Sequence, residues 1–195
     1  MILDKVYWSE RYKNEQTGWD IGYVSTPLKN YFDSLSDKSI KILIPGAGNA
    51  YEAEYLHHLG FEHVYVCDLA AEPLNNLKKR CPSLNKNYLI QEDFFKLNPA
   101  IYQFDLIIEQ TFFCALNPAL RQNYFEKMLE LLTQGGKLVG LLFNCKFEQS
   151  PPFGGDELEY QLYIRELFKI NTFKHCEDSI PARTGKELFM ILEKA

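Results

Sequence analysis

The sequence predicts an α/β fold, a doubly wound and mostly parallel seven-stranded sheet that ends in an antiparallel C-terminal strand. Three observations predict it. Short apolar, β-branched runs alternate with amphipathic stretches at intervals of ~20–30 residues, the spacing that helical crossovers between parallel strands need. A glycine-rich turn follows the first apolar run directly. Two extended segments near the C-terminus, ten residues apart, can pair as a hairpin. At 195 residues, one domain over residues 1–195 is expected, large enough to bury roughly 70% of its unfolded surface.

Residues 1–39 hold Trp8, Tyr12 and Trp19 and are too aromatic for a disordered tail; they are expected to form a lid. Residues 40–45 (Ile-Lys-Ile-Leu-Ile-Pro), stopped by proline and glycine, read as a first strand buried on both faces. Residues 49–59 read as a helix, 63–67 as a second strand, 71–79 as an amphipathic helix and 88–91 as a weaker third strand. Residues 104–109 (Phe-Asp-Leu-Ile-Ile-Glu) form a fourth. Residues 118–132 make a helix with Phe125, Leu129 and Leu132 on one face and Gly135-Gly136 as its stop. Residues 137–144 make the fifth strand. A loop at 145–155, rich in Pro and Gly, leads to a helix at 157–167, and strands at 170–176 and 187–192 can pair as a hairpin.

Composition removes whole classes of function. Hydrophobic residues are 46% and charged residues 24% of the chain, the range of an ordinary folded domain. With 21 Lys+Arg against 26 Asp+Glu the formal charge is −5, so the long-range field repels polyanions and no nucleic-acid partner is expected. No apolar run approaches the ~18–20 residues that cross a bilayer, and the start lacks a signal peptide's pattern; a cytoplasmic address and no membrane partner are expected. The five cysteines are widely spaced with no C-x-x-C, and the four histidines form no H-x-x-x-H, so neither a disulfide framework nor a metal site is expected. Serine-hydrolase and P-loop signatures are missing too.

In open parallel sheets ligands bind beyond the carboxyl ends of the strands. Three loops lie there. In the first, Ile44-Pro45-Gly46-Ala47-Gly48-Asn49-Ala50, Gly46 and Gly48 let the backbone approach a ligand, although a G-x-G is also an ordinary strand-to-helix turn. The second places Asp68 20 residues after Gly48, the interval at which dinucleotide folds hold a ribose diol; a helix cap is the plainer role. In the third, Glu92-Asp93-Phe94-Phe95, Asp93 can accept from an adenine amino group while an aromatic supports the base, or simply cap a turn. Tyr51 stands where NAD enzymes have a third glycine, which disfavours a pyrophosphate. S-adenosylmethionine has no phosphate and tolerates that residue.

With these loops in place the sequence resembles the thiopurine S-methyltransferase family, which includes halide and thiol methyltransferases. The resemblance covers nearly the whole chain. It rests on Trp8-x-x-x-Tyr12 with Trp19-Asp20, Ile44-Pro45-Gly46-Ala47-Gly48, Val66-Cys67-Asp68 and Glu92-Asp93-Phe94-Phe95. Further on it rests on Phe112-Phe113-Cys114-Ala115-Leu116-Asn117-Pro118 with Arg121, Pro151-Pro152-Phe153, and Ile180-Pro181-Ala182-Arg183-Thr184-Gly185-Lys186-Glu187. It implies the Rossmann-like fold of class I methyltransferases with S-adenosylmethionine as cofactor. Trp8, Tyr12 and Trp19 would close over it, Gly46 would lie under its methionine part, Asp68 would hold the ribose, Asp93 and Phe94 would flank the adenine, Glu109 and Gln110 would adjoin it, and Gly48 would also bind it. Related halide and thiol enzymes have tryptophan in place of Tyr12 and an aromatic in place of Gln110, so the aromatic wall is kept while the acceptor pocket differs.

Methyl transfer from a sulfonium is an in-line displacement that needs position and dryness more than a base, and no catalytic residue is assigned. The acceptor expected is a small soft nucleophile: a thiol, thiopurine, halide or chalcogen. Arg121, Phe113 and Phe153 are candidates for its pocket. Arg121 either attracts an anionic acceptor or pairs with Glu126 or another carboxylate, and the phenylalanines are either pocket wall or core. Arg183 and Lys186 either meet an anion or make a solvated hairpin tip, and Cys114 reads as packed beneath the site. A monomer is expected. The alternative function is a non-catalytic nucleoside-binding module that retains the fold without turnover.

Overall fold

The computed structural model describes residues 2–195, which fold as two compact units divided between Leu97 and Asn98. In the first, β1 (Ile42–Pro45) is buried at all four positions, as a parallel strand covered on both faces requires. It pairs in parallel with β2 (Val64–Asp68), which pairs in parallel with β3 (Leu89–Gln91). The helices are α1 (Lys5–Lys13), α2 (Thr26–Asp33), α3 (Tyr51–His58) and α4 (Ala71–Arg80). Helix α2 begins with proline in its first turn, where a missing N–H costs nothing, and buries Leu28 and Phe32 completely. Helix α1 buries none of its own residues; it lies against α4, where Ser9 donates to Glu72 at 2.9 Å.

In the second unit β4 (Phe104–Gln110) pairs in parallel with β5 (Leu132–Phe143). β7 (Glu187–Glu193) runs antiparallel to β5 and to β6 (Lys169–His175). The helices are α5 (Arg121–Leu131) and α6 (Glu157–Ile164), and Asp156 caps α6 by accepting from the Glu159 N–H at 2.9 Å. The seven strands run in the order β3-β2-β1-β4-β5-β7-β6, the mostly parallel sheet with an antiparallel C-terminal strand that the sequence predicts.

The elements fall where the apolar pattern puts them, with one displaced boundary. Helix α5 ends at Leu131, four residues before Gly135, and the glycine pair lies inside a twelve-residue β5. Helix α5 buries Arg121, Tyr124, Phe125, Met128 and Leu131; of the three residues expected on its apolar face, Phe125 is there, Leu132 is buried as the first residue of β5, and Leu129 is half-buried. At this boundary the Lys194 ammonium donates to the Leu129 and Leu132 carbonyls at 2.8 and 2.7 Å, satisfying groups that the helix end leaves open. Among the described residues no helix is long and apolar enough to cross a membrane.

Candidate functional site

The first unit builds its site around the turn after β1. Gly46, Gly48 and Ala50 all have φ near +54°, so the backbone coils left-handedly into α3. Glycine is needed at position 48 for space as well as conformation, since a Cβ there would sit 3.0 Å from the Tyr12 hydroxyl and 3.8 Å from Trp19 Nε1. The loop is held from several sides. Asp68, at the end of β2, accepts from the Gly48 N–H at 3.0 Å and from the Ala70 N–H at 2.9 Å. Arg80 donates to the Asn49 carbonyl, Asn49 donates to Asp20, and Asn76 donates to Asn49 at 2.9 Å.

Over this loop stand the N-terminal aromatics. Trp19 meets Trp8 and Tyr12 edge-on, with centroids 5.6 and 5.8 Å apart, the geometry aromatic quadrupoles prefer. Charges of both signs surround them: the Arg11 guanidinium lies 5.6 Å from the Trp19 ring centroid, and burial, with Asp68, Asp20 and Glu72 adding to it, pushes the Tyr12 hydroxyl well above its ordinary pKa. Burial also raises the Asp68 carboxyl to about 6, against the amides of Ala70 and Gly48 that favour its ionised form. A carboxylate has about four acceptor directions, and these two amides leave it able to accept more.

The remaining expectations for this unit are divided between surface and core. Asp93 accepts from the Phe95 N–H at 3.0 Å and caps the turn Phe94–Lys96. Phe94 is buried, and Phe95, 5.3 Å away between centroids, is the half-buried ring of the pair. The Tyr51 ring lies 4.5 Å beneath the Arg80 guanidinium, filling the place a third glycine would leave open.

The second unit builds its part at the carboxyl ends of β4 and β5. Glu109 is fully buried, and its carboxylate accepts from the N–H groups of Phe112 and Phe113 at 2.8 and 3.0 Å and from the Tyr124 hydroxyl at 2.5 Å. Burial pushes this carboxyl up to about 7 in spite of those three donors. Gln110 is half-buried, and Thr111 after it has φ 59°, a costly conformation for a β-branched residue. Glu109 holds that turn by its two amides. Phe113 is 1% exposed, packed on Tyr124, Phe125 and Tyr160, whereas Phe153 is half-buried and donates its N–H to the Cys114 carbonyl at 2.6 Å. Cys114 is buried, which pushes its thiol far up and leaves it inert. A cavity too tight for a water lies between Glu109, Thr111, Cys114, Phe143 and Glu187.

Both arginines are buried in ion pairs, Arg121 with a carboxylate as its second alternative had it. Arg121 is 3% exposed and pairs with Glu159, not Glu126, which accepts from Gln122 instead. Arg183 is 8% exposed, pairs with Glu187 at 3.4 Å and lies 5.5 Å from the Phe143 ring. It is no solvated hairpin tip; Lys186 is the exposed residue there. The sequence marks Asp20 and Asn49 only as members of the Trp19-Asp20 and glycine motifs, and gives no sign of Asn76, Arg80 and Tyr124, which reach their partners across 15 to 31 residues.

The family model described as thiopurine S-methyltransferase matches residues 3–194. The chain belongs to the thiopurine S-methyltransferase family. It is therefore an S-adenosylmethionine-dependent methyltransferase. Among similar family proteins, probable thiol methyltransferase 2 of Arabidopsis thaliana is 29% identical, covering 92% of this chain and 81% of that protein. Thiocyanate methyltransferase 1 of the same plant is 26% identical over the same shares. In fold the chain is similar to the 1,6-didemethyltoxoflavin-N1-methyltransferase of Burkholderia thailandensis, solved with 1,6-didemethyltoxoflavin and S-adenosylhomocysteine. The TM-score is 0.79 at 15% identity, over 98% of this chain and 87% of that one.

The residues present fit the family's cofactor. Gly48 leaves the room a side chain would fill, Asp68 keeps acceptor capacity for a ribose, and three carboxylates beside an aromatic group suit a sulfonium cation.

Proposed function

We propose that the chain, as one methyltransferase domain and a cytoplasmic monomer, moves a methyl group from S-adenosylmethionine to a small soft nucleophile by in-line displacement. The acceptor class is a thiol, thiopurine, halide or chalcogen. The observation that supports this most is the Gly48 turn tied to Asp68, with Tyr12 and Trp19 packed against it in a field of carboxylates.

The bound cofactor supplies an electrophilic methyl on a sulfonium. Trp8, Tyr12 and Trp19 face the cation and exclude water, contacts worth about 0.5–2 kcal/mol each. Asp68 accepts from the ribose hydroxyls while keeping the Gly48 N–H in place. Asp93 and the Phe94-Phe95 pair flank the adenine, with Phe95 as the accessible ring. Gly46, Glu109 and Gln110 border the cofactor, Glu109 through the turn it fixes. Phe153, with Phe113 behind it, walls the acceptor, and the attacking atom needs only to be held about 3–3.5 Å behind the methyl carbon. Thiolates and halides are nucleophilic near neutral pH, and the relatives named for thiol and thiocyanate support that chemistry.

The test is calorimetric binding of S-adenosylhomocysteine, with NAD as control, to the native chain and to Asp68→Ala. Loss of a charge-assisted hydrogen bond should weaken binding by about 1.5–3 kcal/mol, roughly 10- to 150-fold. A native chain that binds neither nucleotide would overturn the reading. One that binds the homocysteine nucleoside but turns over no thiol, thiopurine, halide or chalcogen would be the non-catalytic module.

A further inference from the structure

We propose that Arg121 is a positioning residue for the acceptor side, a clamp that fixes Phe153 through the backbone of Gly154, and not a site that recruits anions. The inference rests on the methyltransferase reading above. Its basis is a set of contacts within the second unit. The guanidinium donates to the Glu159 carboxylate with one terminal nitrogen and to the Gly154 carbonyl, at 2.7 Å, with the other. The rings of Phe113 and Tyr160 lie 5.2 and 5.6 Å from it, and its Nε is buried with no hydrogen-bond partner among the described residues. Both terminal nitrogens and two aromatic faces are thus engaged inside the protein, with 3% of the side chain exposed.

What this clamp holds is the return of the loop that leaves β5. The loop departs after Phe143, at the carboxyl end of a parallel strand, the edge where ligands of such sheets bind. It comes back at residues 153–155, and each of these is tied. Phe153 donates its N–H to the Cys114 carbonyl at 2.6 Å, Gly154 accepts from Arg121, and Gly155 donates to the Cys145 carbonyl at 3.1 Å. There is no slack for side chains. A Cβ on Gly154 would run into the Cys145 carbonyl, and one on Gly155 into the Tyr160 ring, whose hydroxyl donates to Phe143 at 2.8 Å. Arg121 therefore sets where the half-buried Phe153 ring stands by holding the residue next to it. Lysine carries its donors on one nitrogen and lacks the planar fork that sets two of them on separate atoms.

Steady-state kinetics of the full-length chain with S-adenosylmethionine test this, using hydrosulfide as a small anionic acceptor and thiophenol as a bulky one. The variants are Arg121→Met, Arg121→Lys and Glu159→Gln; the last changes a residue 34% exposed and keeps the test open should Arg121→Met fail to fold. For Arg121→Met the thiophenol KM should rise roughly 10- to 100-fold, the effect of a small misplacement of a positioning group. Arg121→Lys and Glu159→Gln should fall between it and the native chain. The hydrosulfide KM should change less, and the dissociation constant for S-adenosylhomocysteine should stay within about twofold, because the clamp governs wall placement and not charge. A larger, salt-sensitive rise for hydrosulfide than for thiophenol would overturn the clamp in favour of anion recruitment. Unchanged acceptor kinetics in folded Arg121→Lys and Glu159→Gln, or equal losses of acceptor and nucleoside binding, would overturn it too. A native chain that methylates neither these nor any other acceptor of the class would overturn the functional reading itself.

Discussion

Glu109 shows how one carboxyl can organise a site from within the core. It receives two backbone amides and a tyrosine hydroxyl, yet burial outweighs them and its proton is held up to about pH 7. The unfolded chain releases that proton near 4.5, so between the two values the folded state binds more protons. Stability is then full below the lower value and is lost as pH rises through the upper one. Asp68 acts in the same direction up to about 6. Around Glu109 the neighbouring titratable groups are Tyr124 and Cys114, both pushed far up and neutral, and across the cavity Glu187, whose carboxyl burial also raises, so none offsets the trend. Glu109→Gln keeps an acceptor for the two amides and never ionises. Its unfolding temperature should fall less than the native chain's between pH 5 and pH 8, a comparison thermal melts in a buffer series will make; parallel curves would sink this account. Neither this residue's burial nor its partners could be read from the sequence, which marks it as the polar end of an apolar run and, through the family resemblance, as a neighbour of the cofactor.

Among the elements, the β4–β5 pair is the most tightly specified. Gly140 in β5 lies opposite Glu109, and a Cβ there would meet the Glu109 carbonyl and come within 2.5 Å of its Cβ. Both are backbone or near-backbone atoms of a buried residue, with no flexible end to move aside. Gly140→Ala should therefore cost about 1–3 kcal/mol of stability, lowering the unfolding temperature by roughly 2–12 °C in a chain of this size, measurable by calorimetry. The strands themselves were legible in the sequence, because apolar runs such as Ile-Leu-Ile and Phe-Asp-Leu-Ile-Ile have no other use. The end of α5 was not legible. A group that binds there, Lys194, lies 62 residues beyond the Leu132 carbonyl, and no local pattern encodes such a partner. The same holds for Arg121, whose mate Glu159 lies 38 positions away while the nearer Glu126 takes a different bond. The glycine turn, Asp68 and the N-terminal aromatics stood out early because their chemistry sits in short local motifs.

For the molecule as a whole, a ligand that binds only the folded state stabilises it by mass action. S-adenosylhomocysteine at a hundred times its dissociation constant should add about 2.7 kcal/mol, an upward shift of roughly 5–11 °C in the unfolding temperature. NAD at the same concentration should give none, and a native chain with flat melts in both would count against the cofactor assignment. The N-terminal aromatics add an optical consequence. The chain contains two tryptophans, and Trp8 and Trp19 stand in mutual contact, with Trp19 close to the turn at Gly48. Light absorbed at the red edge of the protein band, where the tyrosines are dark, is thus emitted from one corner of the fold. Its colour and lifetime make that corner an intrinsic, label-free gauge of what arrives at the turn and how fast.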